Sequence, residues 1–390
     1  MRSDEMVEVE RRYIADTYGR QPIALVEGRG ALVRDSDGKE YIDCFAGLAV
    51  LNVGHSHPKV VKAICDQAEK IMHTSNLYYI LPQLELAKLL FEVSGGFKSF
   101  FCNSGAEANE AAIKLVRKYT GKSEIIAAKN SFHGRTILTL SATGQERYKK
   151  GFEPLCREFK HVKFDDVGEI QENITSDTAA IFLEPIQGEG GVVVPKDGYL
   201  KEVRKLCDGH DILFVLDEVQ TGFGRVGEMF AWQLFDAKPD IFAVAKAMAG
   251  GFPMGAMLAR PEIMDAFERG DHASTFGGTH IACAAAKASI EALLEENLIE
   301  RSRDLGRYFM AELVKLKDEY GFIKDVRGKG LMIGMELDFE GSDIVDKVRR
   351  KGVLINCTSE NVLRFLPPLV IEKEQLRRVV GVLDEVFGGM

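Results

Sequence analysis

From about residue 98 the chain alternates short apolar runs with stretches of helical period. The runs at 98–102, 124–128, 179–183, 212–216, 241–245 and 256–259 are dominated by Val, Ile, Leu, Phe and Ala. Continuous rather than alternating apolar strands are those buried on both faces, as in a parallel sheet between helical layers. Between and before them, 59–71, 83–91, 106–120 and 200–208 place apolar residues three and four apart and are predicted helices. Strands alternating with helices predict an α/β fold with a mostly parallel sheet covered on both faces.

Both ends of the chain break this pattern. The runs 31–34 and 40–43 flank Asp35-Ser36-Asp37-Gly38, an Asp-Gly turn between alternating strands that reads as a hairpin. Beyond helices predicted at 281–296 and 299–319, the tail predicts a strand at 330–336 and a helix at 343–351. Strands at 352–355 and 362–365 and a helix at 373–387 follow. That tail is α+β in character. The expected organisation is a large domain over 51–297 and a smaller α+β domain made from both chain ends, 1–50 and 298–390.

Composition narrows the class. The 390 residues are 46% hydrophobic and 28% charged, which is ordinary for a globular enzyme and carries no sign of disorder. A net charge of -9 argues against nucleic acid or an anionic membrane as the main partner. Seven cysteines, an odd number at irregular spacing without C-x-x-C, fit reduced thiols rather than a disulfide framework or zinc site. Neither a signal-peptide core nor a run near the roughly 18 apolar residues of a membrane span is present, so a cytoplasmic protein is expected. His55 and His57 flank Ser56 in a predicted loop, and no metal is expected there.

Against this frame a few residues carry chemistry. Lys246 closes the run 241–245 and is followed by Ala247-Met248-Ala249-Gly250-Gly251. An amine held at a buried strand end loses hydration, its pKa falls, and it becomes a usable nucleophile. Lysines of this kind form Schiff bases with carbonyl compounds, pyridoxal phosphate among them. On position alone a surface lysine closing a strand is the commoner case. The run 212–216, ending in Asp217-Glu218, tips the balance: an acid and an amine then stand at the C-terminal ends of two strands, where open α/β sheets bind ligands.

Loops at other strand ends join them. Ser104-Gly105-Ala106 between strand and helix offers a cap, a close turn and free N–H groups, a phosphate cradle or else an ordinary helix start. Phe132 and Arg135 follow the next strand and would stack on a planar ring and grip a carboxylate; a core phenylalanine and a solvated arginine are the plainer alternative. Glu184 and Glu189 sit in a glycine-rich loop. Ser274 and Thr275 begin Ser-Thr-Phe-Gly-Gly, a loop that either binds phosphate or caps the next helix. Arg364, inside an apolar strand stopped by Pro367-Pro368, needs a partner when buried, either a substrate carboxylate or an internal acid.

These segments together resemble the class III (ω-type) pyridoxal-phosphate aminotransferases of fold type I, and within that family the branch that acts on acetylornithine. The resemblance runs over nearly the whole chain, through 103–109 (NSGAEAN), 131–136 (SFHGRT), 184–191 (EPIQGEGG), 216–225 (LDEVQTGFGR), Lys246, 274–278 (STFGG) and 362–369 (VLRFLPPL). It implies pyridoxal 5'-phosphate as cofactor, with Lys246 as the Schiff-base lysine and proton shuttle and Asp217 paired with the ring nitrogen. It implies Gly105, Ala106 and Thr275 on the phosphate, Thr275 from the neighbouring subunit of a homodimer. Phe132 and Val219 would pack on the two ring faces and Gln220 would approach the ring hydroxyl. Arg135 and Ser274 would touch the acylated end of the donor. Arg364 would hold the α-carboxylate of glutamate and pair with Glu189 when that group is absent.

The implied reaction moves the δ-amino group of N2-acetyl-L-ornithine to 2-oxoglutarate, a step of arginine biosynthesis. Other ω-amino donors stand as alternatives: acetyl-lysine-type intermediates, 4-aminobutyrate, ornithine or succinylornithine. A pyridoxal-phosphate aminomutase and a non-catalytic binding protein on the same fold are rivals of other classes; the pair Arg364 and Glu189 argues against the first, and the presence of Lys246 and Asp217 against the second. One departure stands out: Thr279-His280 replaces the Asn-Pro that many relatives carry after the paired glycines.

Overall fold

The computed structural model describes residues 3–390. Fifteen strands occur among them: β1 (Leu25–Arg29), β2 (Leu32–Asp35), β3 (Glu40–Asp43), β4 (Lys98–Cys102), β5 (Glu124–Ala128), β6 (Phe159–Val162), β7 (Thr178–Leu183), β8 (Leu213–Asp217), β9 (Ile241–Val244), β10 (Gly255–Ala259), β11 (Ile323–Lys329), β12 (Met332–Leu337), β13 (Val353–Leu354), β14 (Asn356–Thr358) and β15 (Val362–Phe365). They form three sheets. The central one has seven strands in the order β4-β10-β9-β8-β7-β5-β6. Only β10 runs against its neighbours β4 and β9; the pairs from β9 to β6 are parallel.

The apolar runs explain this layer. Every residue of β7, β8, β9 and β10 is buried. Successive side chains leave opposite faces, so Ile125, Ala180, Val215 and Ile241 pack with the helix Gly105–Thr120, while Ile126, Ile181, Phe214 and Phe242 pack with Tyr199–His210 and His280–Glu295. A sheet with helices on both faces cannot alternate polar residues, which is why its strands read as unbroken hydrophobic stretches.

Two four-stranded sheets use the rest. One is β11-β12-β15-β14, all antiparallel; the other is β1-β2-β3-β13. In the second, the antiparallel β1-β2-β3 receives β13 in parallel, with Val353 opposite Ile42 and Leu354 opposite Asp43. Arg225, with no exposed surface, ties the two ends to the middle: it donates to the carbonyls of Leu331 (2.9 Å) and Pro367 (2.6 Å) and to Asn52 Oδ1. Among the described residues no carboxylate contacts it, and burial pushes its pKa down to about 9. Among the described residues no helix is long and apolar enough to cross a membrane.

Candidate active site

The C-terminal ends of β4, β5, β7, β8 and β9 open onto one cavity of about 410 Å³, within the usual range for small-molecule sites. Lys246 enters it directly after β9. Ala245 is extended at φ -163°, and Lys246 takes φ 43°, a left-handed conformation that costs a β-carbon-bearing residue energy. Its ammonium has no hydrogen-bond partner among the described residues. The protein packed around the side chain drives its pKa below that of a free lysine, with Arg364 adding to the effect and Glu189 and Asp217 opposing it.

Asp217 ends β8, 4% exposed, and is braced on three sides. Asn109 Nδ2 donates to Oδ2 (2.8 Å), His133 Nδ1 lies 2.8 Å from the same oxygen, and the Val219 N–H donates to Oδ1 (3.0 Å). His133 stacks on Phe182 with ring centroids 4.1 Å apart. This carboxylate therefore has a fixed direction.

The helix Gly105–Thr120 starts at the cavity wall. Ser104 is its N-cap, its Oγ accepting from the Glu107 N–H (3.2 Å). Gly105 and Ala106 line the cavity from the first turn, where N–H groups have no acceptor within the helix. A Cβ at Gly105 would stand 2.8 Å from both Val219 methyls, so the helix start and the Val219 loop approach as closely as glycine permits. Phe132 also lines the cavity, with its N–H donated to Glu184 Oε2 (3.0 Å). Glu184 Oε1 also accepts from the Gly188 N–H (3.0 Å), so one carboxyl ties two loops together; burial raises its pKa to about 7.

Arg364 lies on β15, fully buried. Its Nη1 donates to Glu189 Oε1 (2.6 Å) and Gln220 Oε1 (3.4 Å), and its Nε to Asn356 Oδ1 (3.2 Å); Nη2 is buried without a partner among the described residues. Burial works to raise the Glu189 carboxyl, but Arg364 and Lys246 outweigh it and hold the group below its ordinary range.

The fold thus gathers Ser104, Gly105, Ala106, Phe132, Arg135, Glu189, Asp217, Val219, Gln220 and Lys246 around one cavity, with Arg364 reaching it through Glu189 and Gln220. Ser274 and Thr275 are placed apart from it. Ser274 Oγ accepts from Asn103 Nδ2 (3.1 Å) and the Gly277 N–H (3.0 Å), and Thr275 is exposed. Thr279 leads into the helix His280–Glu295 with its Oγ1 on the Met72 carbonyl (2.9 Å). His55 and His57 pair with Asp43 (2.7 Å) and Glu296 (2.8 Å). The sequence reading assigned nothing to Asn109 and His133, the two residues that brace Asp217. Asn109 could have been noticed as a polar side chain on the buried alanine-rich stripe of its helix, beside Ala108, Ala111 and Ala112.

This site has what pyridoxal phosphate requires of a protein. A lysine amine stands free in the cavity, a braced carboxylate waits for the ring nitrogen, uncapped helix N–H groups suit the phosphate, and apolar faces at Phe132 and Val219 suit the ring. The fold and site define an α/β enzyme of the pyridoxal-phosphate type. The aminotransferase class-III family model matches residues 13–387. The acetylornithine aminotransferase of Methanothermobacter thermautotrophicus is 55% identical over 390 residues, all of both chains. Among solved structures, the ornithine aminotransferase from Toxoplasma gondii superposes with a TM-score of 0.97 at 34% identity, over 100% of this chain and 96% of that one. The acetylornithine aminotransferase from Elizabethkingia anophelis gives 0.90 at 34% identity, over all of both chains. The chain belongs to the class III aminotransferases. Its cofactor is pyridoxal 5'-phosphate and its chemistry is amino-group transfer.

Proposed function

We propose that the chain transfers the δ-amino group of N2-acetyl-L-ornithine to 2-oxoglutarate, giving N-acetylglutamate semialdehyde and glutamate, as a cytoplasmic step of arginine biosynthesis. The observation that carries the reading is Arg364: a buried guanidinium with one nitrogen unpartnered and another on Glu189. A 2-oxo acid or glutamate offers the carboxylate such a group requires, and Glu189 supplies a substitute charge when an ω-amino donor leaves that place empty. The high identity to acetylornithine aminotransferases supports the choice of donor.

The remaining roles follow from position. Pyridoxal phosphate, when bound, supplies an electron sink for the carbon that loses its proton. Lys246 Nζ, its pKa lowered by burial, takes that proton and returns it. Asp217, braced by Asn109 and His133, holds negative charge toward the ring nitrogen; Ser104, Gly105 and Ala106 form the phosphate cradle, Phe132 and Val219 the two ring contacts, and Gln220 the neighbour of the ring hydroxyl. Arg135 receives the acylated end of the donor; Ser274, which stands apart from the cavity of its own chain, joins it only across the dimer proposed below. A survey of amino donors in single half-reactions, followed by the cofactor's absorbance, tests the substrate: N-acetylornithine should react fastest, and faster turnover of ornithine or 4-aminobutyrate overturns it.

The working unit we propose is a homodimer in which Thr275 reaches the phosphate of the neighbouring subunit. Leu77, Tyr78, Tyr79 and Leu81 support it, with exposures of 89%, 71%, 91% and 71% in the isolated chain. Mixing Lys246→Ala with an inactive Thr275→Ala should restore activity in hybrid dimers; no recovery despite subunit exchange rejects the shared site. The sheet β1-β2-β3-β13 supports a small domain of 1–50 and 298–390 beside a large domain of 51–297.

A further inference from the structure

Arg135 is unlike Arg364, the other arginine described at this site. It is exposed and lines the cavity, yet it has no ion pair and no hydrogen bond among the described residues. Its contacts are to rings: Cζ lies 3.9 Å from the centroid of Tyr148 and 5.5 Å from that of Phe132. Arg364, by contrast, is already engaged by Glu189.

Tyr148 does not itself line the cavity, and two contacts fix its ring independently of Arg135. Arg147 Nη2 donates to the phenolic oxygen (3.0 Å) while its own guanidinium is also anchored on Gln145 Oε1 (3.0 Å). The Phe132 ring meets Tyr148 edge-on, centroids 5.7 Å apart at 84°. The nearest acid on this segment, Glu146, is taken by Lys149 (2.9 Å). The result is an immobilised aromatic face beneath a cation that pairs with no carboxylate among the described residues.

That arrangement has a use. An arginine at a cavity rim loses conformational freedom when a ligand fixes it, and a carboxylate holding it ready would occupy the fork that the ligand needs. An aromatic face attracts the guanidinium without consuming a single N–H. We propose that Tyr148 is a positioning residue that holds Arg135 with its fork open to the α-carboxylate of the amino donor. This rests on the reading of Arg135 as a donor-binding residue given above.

The test uses the holoenzyme with two donors: N-acetylornithine, and 4-acetamidobutan-1-amine, the same molecule without its carboxylate. Tyr148→Leu should raise KM for N-acetylornithine roughly fivefold to tenfold, the size of a lost cation–π contact, with kcat within about twofold. Tyr148→Phe keeps the ring face and should stay within about twofold of the parent. The carboxylate-free donor should be used equally well by all three proteins. If Tyr148→Leu fails to fold, Tyr148→Met removes the same face. An unchanged KM in the ring-free variant overturns the proposal if Arg135→Ala raises it; so does an equal loss of kcat for both donors, the mark of a structural role. An Arg135→Ala variant with unaltered KM instead rejects Arg135 as a donor-binding residue, and the role of Tyr148 with it.

Discussion

Asp217 and Arg364 are both buried charges, and they are satisfied in opposite ways. Asp217 is surrounded by donors, two of them side chains, so its position and its acceptor character are built in. Asp217→Asn would set an amide nitrogen against either the Asn109–His133 pair or the Val219 N–H, and remove the charge that balances a protonated ring. The expected loss in kcat is about a hundredfold or more in saturating cofactor, comparable to removing a preorganised electrostatic partner; an unchanged kcat would give Asp217 another role. Arg364 is left with one nitrogen unpartnered among the described residues and its charge on the Glu189 carboxylate. Glu189→Ala should therefore slow the half-reaction with the ω-amino donor more than that with glutamate. Arg364→Ala should do the reverse, costing the glutamate half about 2 kcal/mol or more. Equal losses in both halves would mean that the pair is structural.

At the scale of elements, the close approach of a helix start to a loop is the testable feature. Gly105→Ala brings a Cβ to 2.8 Å from Val219 and forces one of the two to move. Overpacking of this kind costs about 1–3 kcal/mol, so the cofactor should bind roughly tenfold more weakly in a fluorescence titration, one decade being about 1.4 kcal/mol. Unaltered affinity would show that the loop yields freely. The strands that build this site were legible because burial on both faces leaves continuous apolar runs, and Lys246 and Asp217 stood out as the charges that end two of them. The edge strand Phe159–Val162 pairs only with β5 and is mostly half-buried, so it tolerates Lys160 and His161 and carries no such signal. Nor does sequence reveal that β10 runs antiparallel, since its composition matches that of its parallel neighbours. The turn at Ala46–Ala49 is left-handed at Ala46, Gly47, Leu48 and Ala49 although only the glycine favours it; Asp43 Oδ1 imposes the start by accepting from the Phe45 and Ala46 N–H groups (2.8 and 2.9 Å). His133 and Tyr148 drew no role from the sequence, and Asn109 only the weak signal of a polar residue on an apolar stripe, for a shared reason. Each acts through another side chain, and for the first two that side chain is Asp217, far along the chain.

Over the whole molecule, buried acids tie stability to pH. Glu218 has no exposed surface, and burial pushes its pKa up from 4.5 to about 7, with the Thr221 hydroxyl and the Trp232 N–H (2.8 Å) opposing the rise. The folded chain therefore holds this proton where the unfolded chain has released it. The contribution is complete below about pH 4.5 and is lost as pH climbs through about 7, on the order of 3 kcal/mol in all. Melting temperature should fall between pH 5.5 and 8, and Glu218→Gln, a lasting mimic of the protonated acid, should flatten that fall. Glu184, also raised to about 7, leaves a residual slope. A variant with the parental pH profile would place the ionisation of Glu218 elsewhere.

The pairing of Ile42 with Val353 has a consequence for how the molecule is made. On a ribosome, β3 emerges roughly three hundred residues before β13, and no shorter path exists for a contact of such high order. Until then β3 presents a bare edge to its surroundings, and bare edges recruit other strands. A nascent chain halted after the central sheet would carry a finished lysine-bearing layer and an unguarded N-terminal hairpin. Aggregation of such truncated chains should thus begin at Glu40–Asp43, far from the residues that perform the chemistry.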